Sequence, residues 1–147
     1  MTVFADSSAL VKLYVAEQGH ETVRAIPFPL VIATLARVEV PAALWGKVRA
    51  GELTPVDAAL LVRAFEFDYH GDDHAGSVFV IVTADESVLI SGARLAALHG
   101  LRAYDAVQLA CALAARESDP SVDSFAAFDK RLCNAALAEG FVDLETS

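Results

Sequence analysis

Short apolar runs alternate with longer segments of helical period along the chain, and this alternation restricts the possible folds more than any other feature. Short apolar runs suit strands buried on both faces, and strands that alternate with helices are typical of an α/β domain with a mainly parallel sheet. The pattern predicts strands over 2–5, 30–33, 79–82, 124–127 and 141–144. It predicts helices over 8–16, 21–25, 36–50, 55–69, 85–98, 104–117 and 130–138.

The length and hydropathy of the chain predict one soluble domain. We expect its 147 residues to form a single domain over 1–147. Hydrophobic residues make up 55% of the sequence, yet apolar runs such as 78–82 are too short to cross a bilayer. The N-terminal segment TVFAD has neither a basic nor a long apolar region, so we expect a cytoplasmic protein without a membrane segment.

The charge balance limits how the protein could hold a polyanion. Twenty acidic and 11 basic residues give a net charge of −9, which argues against a broad basic face for nucleic acid. A nucleic-acid substrate would have to be held locally or through cations. The two cysteines, Cys111 and Cys133, lack the spacing of a zinc ribbon or a redox motif, so we expect buried thiols.

Four carboxylates interrupt or directly follow apolar sequence. Asp6 ends the first predicted strand, Glu39 lies early in the helix after the second, and Asp129 follows the fourth. Asp105 lies near the start of LRAYDAVQLACALAA, a segment otherwise suited to burial. The carboxyl ends of parallel strands lie at one edge of a sheet, where ligand sites form, and we therefore expect Asp6, Glu39 and Asp129 to converge. Asp105 joins them if its helix starts at that same edge, which the loop over 100–102 allows.

Such a cluster of acids needs either protons or a cation. At an effective dielectric near 20, two like charges about 4 Å apart repel by roughly 4 kcal/mol. An all-carboxylate set without His or Cys favours Mg²⁺ or Mn²⁺ over zinc. One or two such ions polarise a phosphate and activate water, which indicates phosphodiester hydrolysis.

Each acid also has a purely structural interpretation. Asp6, Asp105 and Asp129 each precede or begin a predicted helix, where an aspartate satisfies unpaired N–H groups and suits the helix dipole. Glu39 could be an exposed helical acid paired with Arg37 or Lys47. Convergence of all four at one edge favours the metal site over four independent caps.

The four acids lie within the segments DSSALVKLYVAEQG, RVEVPAAL, HGLRAYDAVQLACAL and FAAFDKRL. In this order, the segments resemble the motif blocks of PIN-domain ribonucleases, above all the VapC-type toxins of toxin–antitoxin pairs. The resemblance implies a PIN-like α/β/α sandwich with a five-stranded parallel sheet in the order 3-2-1-4-5. It implies an endoribonuclease that needs Mg²⁺ or Mn²⁺ and cuts a structured RNA.

The resemblance also assigns roles to residues and partners. Asp6, Glu39, Asp105 and Asp129 fall on the acidic quartet of the family, and Ser8 on a hydroxyl that contacts metal-bound water or phosphate. Relatives of this kind form homodimers and are inhibited by a small antitoxin that enters the acidic pocket, often with an arginine, whose guanidinium suits a carboxylate cluster.

One departure from the family pattern affects the last acid. A Thr or Ser is common two residues before it, whereas this chain has Ala127, so Asp123 is an alternative to Asp129. Two other functions compete with the nuclease: a receiver-like signalling domain and a non-catalytic PIN-like binding module. A receiver needs paired acids after the first strand, but Asp6 is followed by serines, and Asp85 fits the phosphorylated position only loosely.

Two further groups of polar residues have open interpretations. The loop residues His70, Asp72, Asp73 and His74 form a His-rich cluster, but Gly71 and Gly76 disfavour a helix there, so we expect a solvated loop rather than a zinc site. Lys12, Arg102, Lys130 and Arg131 lie beside the acids and either contact RNA phosphates or serve as surface charges.

Trp45 lies at helical spacing with Val40, Leu44 and Val48. Apolar residues at this spacing form one helix face, which favours a core or dimer position over a base-stacking one.

Overall fold

A computed structural model describes residues 1–74 and 76–144. The strands are β1 (Thr2–Ala5), β2 (Leu30–Ala33), β3 (Phe79–Val82), β4 (Val122–Ala126) and β5 (Val142–Asp143). The helices are α1 (Ser7–Tyr14), α2 (His20–Arg24), α3 (Ala36–Arg49), α4 (Pro55–His70), α5 (Glu86–His99), α6 (Ala103–Ser118) and α7 (Lys130–Ala138). All strand pairs are parallel, in the order β3-β2-β1-β4-β5, which confirms the predicted sheet.

The last two strands differ from the sequence prediction. β4 begins at Val122 rather than 124 because Val122 already pairs with Thr2 of β1. β5 does not include Phe141, whose N–H donates to the carbonyl of Ala136 at 3.0 Å. Phe141 therefore closes the end of α7 instead of joining the sheet.

The sheet lies between two helical layers, each with its own apolar core. Side chains of a strand alternate between the faces of the sheet, so Phe4 of β1 packs on one side while Val3 and Ala5 pack on the other. The Phe4 side carries α5, α6 and α7, and the Val3 side carries α1 to α4. This is the expected α/β/α sandwich.

The burial of α6 gives the site a rigid support. Six of its residues are buried: Ala106, Gln108, Leu109, Ala110, Cys111 and Ala112. α5 packs against the first turns of α6 at Gly92, where an added Cβ would be in ordinary van der Waals contact with the carbonyl oxygen of Ala106, at 3.6 Å. The first turn of α6, which contains Asp105, is thus fixed by the packing behind it.

Three smaller expectations also have outcomes in the structure. Cys111 and Cys133 are both buried, as predicted. Trp45 does not belong to the core, because it is 38% exposed while Val40 and Leu44 of the same helix are fully buried. Within the described residues, no helix is both long and apolar enough to cross a membrane.

Candidate functional site

The structure brings the four predicted acids together at the carboxyl edge of the sheet. Asp6 directly follows β1, Glu39 lies in the first turn of α3, Asp105 in that of α6, and Asp129 precedes α7. The charges of Glu39 and Asp105 act on Asp6, while those of Asp129 and Glu39 act on Asp105. The acids therefore form one electrostatically linked cluster.

Asp6 is the most buried member, at 4% exposure. Its Oδ1 accepts hydrogen bonds from Ser8 Oγ at 2.7 Å and from the Ala9 N–H at 3.0 Å. The pKa of Asp6 is raised to about 7, chiefly by burial and also by the charges of Glu39 and Asp105, while these two hydrogen bonds act in the opposite direction. Asp6 therefore caps α1, as expected for an aspartate that precedes a helix. Both hydrogen bonds use Oδ1, which leaves Oδ2 for a ligand.

Glu39 is held by two polar residues that the sequence analysis did not select. Its Oε1 accepts from Ser7 Oγ at 2.8 Å and from Gln108 Nε2 at 2.7 Å. Gln108 Nε2 also donates to Ser7 Oγ at 3.0 Å, which closes a ring of three side chains from α1, α3 and α6. Gln108 is the only polar side chain in the apolar stretch of α6 that follows Asp105. A polar residue at such a position is the signal that could have identified it from the sequence.

The alternative ion pairs for Glu39 do not occur. Lys47 pairs with Glu17 and Glu52 instead. The Arg37 guanidinium lies 5.4 Å from the centre of the Tyr69 ring, on the α4 side of α3.

Substitution of Gln108 tests how much this hydrogen-bonded ring contributes to the stability of the fold. It is 2% exposed, and its Oε1 is a buried acceptor without a partner among the described residues. Gln108→Met removes the donor to Ser7 and Glu39 but also this unpaired acceptor. We expect the free energy of unfolding, measured by urea denaturation, to fall by about 1–2 kcal/mol.

Gln18 provides the matched control, since it is the only other glutamine and is exposed. Gln18→Met should change the free energy of unfolding by less than about 0.5 kcal/mol. Equal stabilities of the two variants would show that the Ser7–Glu39–Gln108 ring does not stabilise the fold.

Asp105 does not cap its helix. Arg102 occupies the N-cap position of α6 without a side-chain capping bond, and no donor within the described residues bonds the Asp105 carboxylate. Burial raises the pKa of Asp105, the charges of Asp129 and Glu39 raise it further, and Arg102 opposes them. A half-buried carboxylate among other acids, without a hydrogen-bond donor, is well placed to bind a cation.

Asp129 caps α7 and also belongs to the cluster. Its Oδ1 accepts from the Leu132 N–H at 2.9 Å, which leaves Oδ2 for another partner. The alternative acid, Asp123, lies near the start of β4, at the strand end opposite Asp129, and accepts from Ser124 Oγ at 2.7 Å. The structure thus places Asp129, not Asp123, at the acidic edge.

Ser8 connects the loops that carry the first and last acids. Its hydroxyl donates to Asp6 and accepts from the Phe128 N–H at 3.1 Å, next to Asp129. The Phe128 ring lies below the Lys12 ammonium, 4.3 Å from the ring centre. Ser8 retains one lone pair for a water molecule or another donor.

The four cations beside the acids have different surroundings. Lys12 is buried and donates to Glu17 Oε1 at 3.1 Å and to the Gln18 carbonyl at 2.7 Å, so it is a structural ion-pair partner rather than a phosphate contact. Arg102, Lys130 and Arg131 instead line a cleft of 180 Å³ together with Asp105 and Asp129. Basic groups thus border the acidic site on its α6–α7 side.

The described residues of the His-rich segment form a turn at the end of α4. His70 ends α4, and the His74 N–H donates to Asp72 Oδ1 at 2.8 Å within a turn. In the described part of the chain, no group of three His, Cys, Asp or Glu side chains is close enough to enclose a metal ion. The four acids of the sheet edge are therefore neighbours rather than a finished coordination sphere, and their oxygen donors suit a hard cation such as Mg²⁺.

Comparisons with known proteins agree with the fold and with a ribonuclease family. A scan against models of protein families found no match. The chain is 36% identical over 141 residues to Ribonuclease VapC45 and to Ribonuclease VapC49, both of Mycobacterium tuberculosis, with 94% of this chain and 91% of each relative covered. The crystal structure of PAE2754 from Pyrobaculum aerophilum matches with a TM-score of 0.62 and 22% identity, over 99% of this chain and 91% of the other.

Proposed function

Because the chain belongs to the VapC-type PIN-domain ribonucleases, we propose that it is an endoribonuclease that acts as the toxin of a type II toxin–antitoxin system. The observation that carries this proposal is the cluster of Asp6, Glu39, Asp105 and Asp129 at the carboxyl edge of the sheet. We further propose that residues 1–147 act as a single domain.

The proposed cofactor is Mg²⁺, with Mn²⁺ as a substitute, held by Asp6, Glu39, Asp105 and Asp129. All donors are carboxylate oxygens, and the pKa values of Asp6 and Asp105 are raised first by burial and then by the neighbouring acids, whose charge a cation would offset. The bound ion would polarise the scissile phosphate, lower the pKa of water and offset charge on the leaving oxygen.

The protein itself positions the oxygens and handles protons. Ser7 and Gln108 hold Glu39 through Oε1, and Ser8 and Ala9 hold Asp6 through Oδ1, so each acid presents its other oxygen in a fixed direction. Asp105 has no such hydrogen-bond donor among the described residues, so its two oxygens remain for the ion and for a proton from the attacking water.

Ser8 and the nearby cations complete the proposed site. The remaining lone pair of Ser8 Oγ would accept from a water molecule on the phosphate side. Arg102 and Lys130, at the rim of the cleft, would neutralise the RNA backbone near the acids.

The proposed partners are a second copy of the chain and a small antitoxin. An arginine of the antitoxin would occupy the acidic pocket, where a guanidinium forms paired hydrogen bonds with carboxylates. Exposed apolar side chains on α4, namely Val56, Leu60 and Phe67, offer surface for burial against protein partners.

Removal of divalent cations tests the proposal. We expect the purified chain to cut structured RNA internally in Mg²⁺ and to lose this activity in EDTA, because the uncompensated acids repel the phosphate. Activity should return when Mg²⁺ or Mn²⁺ is added in excess. Unchanged cleavage in EDTA would contradict a metal-dependent mechanism, and intact RNA under all conditions would contradict the nuclease itself. Gel mapping of the RNA ends is the measurement.

A further inference from the structure

A second opening lies directly beside the acidic cleft. A cavity of 490 Å³ is lined by His99, Lys130, Arg131, Asn134 and Ala135, along one face of α7 and the end of α5. Lys130 and Arg131 also line the cleft that contains Asp105 and Asp129. Lys130 and Arg131 line both openings, so a polymer bound at the acids can extend into the cavity beside α7. These two residues are the wall that the openings share.

The cations of this wall are available to an anion. Lys130 and Arg131 are exposed, and neither forms a salt bridge among the described residues. On the other side of the acids, Lys12 and Lys47 are both paired with Glu17. In a chain with a net charge of −9, the α7 side is therefore where an anionic substrate would meet unpaired positive charge.

The wall is also fixed in place. Arg131 NH1 donates to the Gly100 carbonyl at 3.2 Å, which leaves the other guanidinium N–H groups for a ligand. His99 Nε2 lies 3.0 Å from Glu139 Oε1, and Arg116 donates to the Glu139 carbonyl at 2.8 Å. Surrounding contacts therefore hold Arg131 and His99 of the cavity lining in position.

Asn134 adds a neutral polar group to the same face. It follows Lys130 by four residues on α7, so the two side chains lie one above the other. Asn134 is exposed, and its side chain has no hydrogen-bond partner among the described residues. Its amide offers both donors and an acceptor to a ligand.

We propose that this cavity binds the nucleotide next to the scissile phosphate, so that single-stranded RNA leaves the acidic site along α7. Lys130 and Arg131 bind the phosphate of this nucleotide, the Arg131 fork through paired N–H groups, and Asn134 bonds its sugar or base. A volume of 490 Å³ lies within the roughly 300–1,000 Å³ of small-molecule pockets and so admits a whole nucleotide. This inference rests on the proposed function.

RNA binding gives the first test, with Lys130→Ala/Arg131→Ala as the variant. Affinity for a fluorescent single-stranded oligoribonucleotide is measured by anisotropy in Mg²⁺, with Asp105→Asn in every protein so that no RNA is cut. We expect the double variant to bind about tenfold more weakly and its plot of log Kd against log salt to lose about 1 in slope. Arg49→Ala/Arg63→Ala removes two exposed arginines on other helices and should change neither quantity.

Substrate length separates a binding subsite from a general charge effect. The oligoribonucleotide is extended by one nucleotide on its 5′ side or, separately, on its 3′ side of the cleavage position. The parent protein carries Asp105→Asn alone. One of the two extensions should tighten binding to this parent but not to the double variant, whereas the other extension should tighten binding to both proteins. Asn134→Ala should reduce the gain from that same extension.

The outcomes are distinct. Equal gains from both extensions in parent and double variant would overturn the subsite, even if the wild type cuts RNA. Failure of the wild type to cut any RNA would overturn the proposed function, while the binding comparison still reports on the cavity. Thermal unfolding of each variant shows whether loss of binding reflects loss of the fold.

Discussion

Replacing Asp105 by asparagine is expected to reduce kcat/KM for RNA cleavage by at least about 100-fold. Loss of residues that only support metal ligands typically costs 10–100-fold, so loss of a carboxylate that would bind the ion should cost at least the upper value. Asparagine keeps the shape of the side chain but cannot carry the negative charge or accept a proton from water. Cleavage is measured at saturating Mg²⁺ so that weaker metal binding and slower chemistry are separated.

Asp123→Asn is the matched control for this substitution. It makes the same chemical change near the start of β4, at the end of the strand away from the acids. We expect its activity to stay within about twofold of the wild type, which corresponds to less than roughly 0.5 kcal/mol. Equal losses of activity in Asp105→Asn and Asp123→Asn would contradict the assigned site. Loss of activity in Asp123→Asn but not in Asp129→Asn would show that Asp123, not Asp129, is the fourth acid of the site.

Asp6→Asn is expected to stabilise the metal-free protein while it abolishes cleavage. The pKa of Asp6 is raised from 3.8 to about 7, so the folded state favours the protonated carboxyl. Asparagine caps a helix as well as aspartate and can keep the Oδ1 bonds to Ser8 and Ala9. At pH 8, we expect the free energy of unfolding in EDTA to rise by about 4 kcal/mol, the energy that corresponds to this difference in pKa.

The pH dependence of this stabilisation has a defined sign. A carboxyl group with a raised pKa contributes stability below its unfolded pKa of 3.8, and this contribution is lost as the pH rises towards about 7. The difference in unfolding free energy between Asp6→Asn and the wild type should therefore be small at pH 4, increase between pH 4 and 7, and remain constant above. Urea denaturation at several pH values measures it.

A cation should reduce the difference in unfolding free energy between these two proteins. At 100 times its dissociation constant, Mg²⁺ would stabilise the wild type by about 2.7 kcal/mol, and Asp6→Asn by much less. Asp123→Asn should match the wild type in both EDTA and Mg²⁺. An Asp6→Asn protein that is less stable than the wild type at pH 8 in EDTA would show that Asp6 is an ordinary helix cap rather than a destabilising member of an acidic cluster.

Much of the fold was predictable because its signals are local. The segments of β1, β2, β3 and α7 coincide with their apolar periodicity, and the caps of the other helices lie within a residue or two of the predicted ends. The last strand was less predictable. Phe141 is a residue type that favours strands, but its N–H donates to the carbonyl of Ala136 at the end of α7. Local pattern does not show which of two nearby acceptors an N–H will find.

The sequence by itself determined where the four acids lie along the chain, and chain topology then required their convergence. Asp6 and Asp129 follow parallel strands, Glu39 lies in the first turn of the helix after a third, and parallel strands end at one edge. The pattern of apolar and acidic residues was therefore enough to predict the acidic edge, although not which acids also cap helices.

Only the tertiary structure decided what supports those acids and which cations remain available. Gln108 lies 101 residues from Ser7 and 69 from Glu39 along the chain, and it bonds both. Lys12 precedes Glu17 closely in sequence, yet its burial against Phe128 makes it a structural ion-pair partner rather than a phosphate contact. Burial and long-range hydrogen bonds depend on which helices pack together, and no local pattern of residues contains that information.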